Sequence, residues 1–250
     1  NTNFVPKTKT HTYSWKRSLS ISLLIFGVFS IIQIGILFIF LLQNGFTLHD
    51  IKLNPNILEE QIYNFIGPIS IYSSLFGILL IIYFSKLIYT GKKFSESIIK
   101  KIIPINKDES IGTIIAWLMI LFGFSLFITL LANWLEVIHE VDFTNQVLRN
   151  SRNMIFLFYG FGVVQPIFEE LLFRGLLFKG LETRLGGNLT VLATSVLFVI
   201  GHAQYDFPIL MLVLFPNALI LGFARLKTKN LTTPIILHCI NNITVLLINS

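Results

Sequence analysis

The sequence predicts an all-α fold: a polytopic membrane helix bundle of about seven transmembrane spans, with its N-terminus in the cytoplasm. Three observations predict it. Of 250 residues, 54% are hydrophobic and only 13% charged, with a mean hydropathy of +0.74, whereas a soluble domain carries about 25% charged residues. Apolar runs of transmembrane length recur along the whole chain. The net charge of +6 collects in the short segments between those runs. That pattern is the signature of membrane topology and argues against a nucleic-acid partner; the lipid bilayer is the expected one.

The spans follow in order as Leu19–Leu42, Phe65–Tyr89, Ile111–Leu135, Met154–Phe178, Leu189–His202, Phe207–Ala224 and Leu231–Ile248. A crossing needs about 20 apolar residues. The first four meet this, the last two nearly do, and the fifth falls short. At about 1.5 Å per residue the fifth reaches about 20 Å of a roughly 30 Å core. Either it starts earlier, near Leu185, or it ends inside the membrane at His202, leaving a loop at membrane depth. With the N-terminus inside, all lysines and arginines except Lys52, Arg149 and Arg152 fall on the cytoplasmic side. That set includes Lys7, Lys9, Lys16, Arg17, Lys86, Lys92, Lys93, Lys100, Lys101, Lys107, Arg174, Lys179, Arg184, Arg225, Lys227 and Lys229. Residues 53–63 read either as a short amphipathic helix on the outer surface or as an ordinary loop. Cys239 is the only cysteine, so neither an intrachain disulfide nor a cysteine-based zinc site is possible.

Polar residues inside these spans are costly and therefore informative. Glu169 and Glu170 stand together in the fourth span. Residues four apart share a helix face, so Glu170 pairs with Arg174, acid first. Glu169 is turned about 100° away and is left free to titrate, as a general base or acid requires. The bland alternative is a structural lock between helices. His202 ends the fifth span, and His238 and Asn242 share a face of the seventh. Two histidines, an asparagine and a glutamate pair from separate spans suggest one polar site.

The ordered set E-E-x-x-x-R (Glu169, Glu170, Arg174), F-x-x-x-H (Phe198, His202) and H-x-x-x-N (His238, Asn242) resembles the CPBP family of CAAX proteases and bacteriocin-processing or immunity proteins, also called Abi proteins. The resemblance divides the chain into residues 1–150, an N-terminal cytoplasmic tail with three spans, and residues 151–250, a CPBP/Abi-like catalytic core with four. It implies an intramembrane endopeptidase acting on a hydrophobic peptide or membrane-protein substrate. Glu169 and His238 would activate water, His202 and Asn242 would hold the oxyanion, and Glu170 and Arg174 would brace the site.

No cofactor is favoured. Helical H-E-x-x-H is absent, and no acidic side chain is obviously placed to support His202; zinc on Glu169, His202 and His238 is the alternative. The Ile-, Asn-, Lys- and Phe-rich composition points to a bacterial cytoplasmic membrane and thus to leader peptides, bacteriocins or propeptides as substrates. Two non-protease readings stand beside this one. The first is a membrane immunity or scaffold protein that binds a peptide. The second is a proton-coupled transporter, which the lack of an internal repeat disfavours.

Overall fold

The computed structural model describes residues 14–54, 56–85, 87, 103–105, 109–135, 142–151 and 153–250. Lys7, Lys9, Lys86, Lys92, Lys93, Lys100, Lys101, Lys107 and Arg152, on which part of the charge argument rests, lie outside them. Every regular element among the described residues is helical: α1 (Trp15–Gln43), α2 (Leu48–Leu53), α3 (Asn56–Ser85), α4 (Ile111–Leu135), α5 (Asp142–Asn150), α6 (Met154–Leu185), α7 (Gly187–Ile200), α8 (Phe207–Thr228) and α9 (Thr232–Asn249). Six are long and apolar enough to cross a bilayer, and α7, with 14 residues, is a shorter apolar helix. The chain is an all-α integral membrane bundle.

Local sequence sets the helix ends. Ser14 caps α1, and Asn153 caps α6 by accepting from the N–H groups of Ile155 and Phe156. Thr47 and Asp50 close a reciprocal capping box on α2. The Thr47 hydroxyl, hydrogen-bonded to the Asp50 carboxylate, holds the latter below the usual carboxylate range. Gly186, at φ 75°, makes the break between α6 and α7.

That break decides the length of the short span. It starts at Gly187, near Leu185 and two residues before Leu189, and also ends at Ile200, short of His202; residues 201–206 are a turn. The fourth span is longer than expected, which moves Lys179 and Arg184 into helix. Arg174 and Arg225, counted as loop charges from sequence, are buried inside helices and do not report topology. Residues 56–63 are neither a separate surface helix nor a loop; they form the first turns of α3.

Helix α6 is the hub. Its Phe168, Leu172, Phe173 and Leu176 pack against Ile25 and Phe29 of α1, Ile81 of α3, Phe198 of α7 and Ala218 of α8. Phe29 and Phe168 stack at 4.4 Å between ring centroids. Helices α3 and α6 cross almost backbone to backbone. A Cβ on Gly160 would lie 2.8 Å from the Gly67 carbonyl oxygen, and one on Gly67 would lie 2.8 Å from the Leu157 nitrogen. Without a hydrophobic force between helices in lipid, such small-residue contacts are what hold them together. Gly67→Leu is therefore expected to lower the melting temperature in detergent, at a cost of about 1–3 kcal/mol for overpacking. Gly27→Ala, in open space, should not; equal melting of the two variants would refute the close crossing.

Helix α6 is not uniform. It contains two π-helical segments, Gly160–Val164 and Leu171–Leu177, and α8 contains a third, Leu210–Leu214. The first and third each end two residues before a proline, Pro166 and Pro216. Proline has no N–H and its ring presses on the preceding turn, so the chain takes an extra residue there. Glu169 and Glu170 lie between the two π segments of α6, where its register is unlike that of a regular helix.

Candidate active site

The π segments free backbone carbonyls that other helices then use. The Gln165 N–H bonds to the Gly160 carbonyl, five residues back. In that register Phe161 O would need an N–H from residue 166, which is proline. The Asn242 side chain of α9 fills the gap, Nδ2 to Phe161 O at 3.0 Å. In the second segment the Phe178 N–H goes to Phe173 and Gly175, and Arg174 O accepts instead from Arg225 Nε of α8 at 3.1 Å. The Arg225 guanidinium also lies over the Phe178 ring at 5.2 Å. These bonds fix α8 and α9 against the glutamate helix.

Arg174 is wholly buried. Its Nη1 donates to Glu170 Oε1 at 3.1 Å and its Nη2 to Ala218 O at 3.0 Å, while its guanidinium carbon sits 4.6 Å from the centre of Phe198. The pair read from the four-residue spacing is thus formed, and it also ties α8 to α6. Glu170 Oε1 faces His238 Nδ1 at 2.9 Å as well. A carboxylate there requires the proton on Nδ1, so neutral His238 presents a bare Nε2.

That Nε2 lies 3.7 Å from Glu169 Oε2. His202 is set the same way: its Nδ1 is 2.8 Å from Phe198 O, and its Nε2 lies 4.0 Å from Glu169 Oε1. Phe198 thus meets three groups, Arg174 and both histidines. Its carbonyl holds His202, and its ring stacks on His202 at 4.4 Å and meets His238 edge-on at 5.8 Å. Glu169 is buried and held by Gln165, one turn earlier, whose Nε2 donates to Oε1 at 2.8 Å. Ser70 of α3 in turn donates to Gln165 Oε1 at 2.7 Å.

His202 is oriented by a backbone carbonyl, that of Phe198, so in its neutral form its one ring proton sits on Nδ1 and none is on Nε2. Asn242 has one amide N–H engaged by Phe161 O. Cys239 turns its sulfur to Val163 O at 3.8 Å, on the α6 backbone. Sequence reasoning passed over Gln165, Ser70 and Arg225. Glu169, His202, His238 and Asn242 all line one cavity of about 100 Å³, together with Gln165, Asn217 and Asn241. It has room for several waters.

The lone pairs of Glu169 Oε2 and His238 Nε2 face each other across 3.7 Å, too far for a hydrogen bond and unfavourable with nothing between them. A water can donate one proton to each, which leaves its oxygen lone pair pointing outward as a nucleophile.

Residues 151–244 match the family model described as type II CAAX prenyl endopeptidase, Rce1-like. A membrane-embedded CAAX protease, MroQ of Staphylococcus aureus (strain USA300), is 30% identical over 94 residues, which cover 35% of this chain and 36% of that protein. Residues 151–244 thus resemble the CPBP family. An uncharacterized 24.3 kDa protein of Escherichia coli is 36% identical over 78 residues, 30% of this chain and 36% of that protein. The chain spans about a third of the length of the curated relatives it matches. No solved structure matches it significantly. The matched stretch holds α6 to α9 up to residue 244, and so every residue of the Glu169 cluster except Ser70.

Proposed function

We propose that this protein is an intramembrane endopeptidase that hydrolyses a peptide bond in a hydrophobic, membrane-associated peptide. The observation that carries the reading is the convergence of Glu169 Oε2 and His238 Nε2 on one water-sized gap in a buried cavity. In this reading the water oxygen attacks the scissile carbonyl carbon while its proton passes to the Glu169–His238 pair. The carbonyl π electrons move to oxygen, giving a tetrahedral oxyanion. Collapse re-forms the C=O, breaks the C–N bond and returns the proton to the departing amine, leaving a carboxylic acid and an amine. Glu170, itself fixed by Arg174, keeps His238 in the tautomer that accepts at Nε2. Residues 151–250 are the catalytic core of this reading and residues 1–150 its support. The site sits in a bacterial cytoplasmic membrane with the N-terminus inside.

A second reading has one observation in its favour. Both histidines give Nδ1 to an acceptor and turn Nε2 toward Glu169, the arrangement that orients imidazole ligands in metal sites. Glu169, His202 and His238 would then hold a zinc ion, which supplies Lewis-acid polarisation of water or carbonyl. Among the described residues, no three His, Cys, Asp or Glu side chains are closed to ligand geometry.

The test is purified protein in lipid, incubated with hydrophobic leader-type peptides and read by mass spectrometry, with and without chelator. We expect cleavage to survive prolonged chelation, because a general base pair activates the water without a Lewis acid. Loss of cleavage on chelation with recovery on added zinc would make these residues metal ligands.

A further inference from the structure

We infer that Asn217 of α8 is an oxyanion donor of the site. The inference rests on the protease reading and completes the half of it that the geometry leaves open. The oxyanion needs hydrogen-bond donors aimed into the cavity. His202, neutral, has its only ring proton on Phe198 O, and Asn242 has one N–H on Phe161 O. Asn217 lines the same cavity as Glu169 and His238. Its Oδ1 is buried and unpaired, and among the described residues its Nδ2 has no partner either, which leaves the amide nitrogen as the end open to the cavity.

The placement of Asn217 is built, not incidental. Pro216 and the π segment before it set the phase of α8 at this point. The next residue, Ala218, is anchored through its carbonyl to Arg174, whose other nitrogen holds Glu170. One arginine thereby fixes the helix of the base and the helix of the donor relative to each other. Asn217 is half-buried: its Oδ1 is enclosed, and its Nδ2 is free to donate into the cavity. A hydrogen bond from Nδ2 to a substrate carbonyl oxygen strengthens as that oxygen gains charge. Preference for the charged state over the ground state is what raises kcat and not affinity.

The experiment measures steady-state cleavage of one peptide by wild type, Glu169→Gln, Asn217→Ala and Asn217→Asp, with melting temperatures alongside. Asn217→Asp keeps the shape and removes the amide donor, so it serves should the alanine variant fold poorly. Both Asn217 variants are expected to lose roughly 10²–10³-fold in kcat with KM nearly unchanged. A peptidyl phosphonate, whose anionic oxygens stand in for the oxyanion, should lose affinity for the variants by a similar factor. Wild-type kcat in both Asn217 variants, with Glu169→Gln inactive, overturns the Asn217 assignment and leaves the protease reading intact. Equal cleavage by wild type and Glu169→Gln overturns the protease reading itself.

Discussion

Replacing Glu169 by glutamine is expected to remove nearly all cleavage while leaving abundance and melting temperature almost unchanged. Glutamine keeps the size of the side chain and can still bond to Gln165, which holds Oε1 at 2.8 Å. It loses the charge and the basicity that draw a proton from water across the 3.7 Å gap to His238. A positioned general base contributes roughly 10²–10⁴-fold, so a kcat loss in that range with a nearly constant KM is the expected result. The KM matters because the cavity lining, and with it ground-state binding, is preserved. The same variant separates the functional classes. A peptide-binding immunity or scaffold protein would keep its function when the glutamate is merely neutralised in place, and a protease would not. Activity within about tenfold of wild type would end the water-activation reading, because the general base is then worth less than its usual range.

Much of the site was legible because it is local in sequence. The Glu170–Arg174 pair needs only the four-residue spacing, and it is formed at 3.1 Å. The convergence of three helices on Glu169 was suggested by costly polar residues in apolar spans, and the structure places His202 and His238 within 4.0 Å of its carboxylate. What stayed hidden depends on departures from a regular helix. The π register behind Pro166 leaves Phe161 O without a backbone donor, and Asn242 is drawn to it; a period of 3.6 residues cannot show this. The same holds for Arg225, which reads as a loop charge at the end of an apolar span until Arg174 O is freed for it. Ser70 was invisible for another reason. It lies 95 positions from Gln165, in a segment with no motif, and reaches it only because Gly67 and Gly160 let two backbones touch.

Arg174→Ala is expected to damage folding as well as activity, which distinguishes it from Glu169→Gln. The arginine side chain is fully buried and serves three partners: the Glu170 carboxylate, the Ala218 carbonyl and the Phe198 ring. Its removal strands Glu170, which is also fully buried and whose Oε2 already lacks a partner. Breaking a buried ion pair from one side costs about 3–5 kcal/mol, because the remaining charge has no water to return to. Among the described residues, only His238 Nδ1 is left to meet that carboxylate. Folded yield by size-exclusion chromatography in detergent should fall sharply, and the melting temperature of what survives should drop. The double variant Glu170→Gln with Arg174→Met removes both charges together and should recover much of the yield, since a pair replaced by neutral groups is often close to neutral in stability. It should not recover cleavage. A glutamine can accept the Nδ1 proton of His238 through its oxygen or donate to a bare Nδ1 through its nitrogen, so the tautomer with a bare Nε2 facing Glu169 is no longer enforced. A stable double variant without activity would show that the ion pair serves the histidine as well as the fold. A well-folded and fully active Arg174→Ala protein would remove Arg174 from both roles.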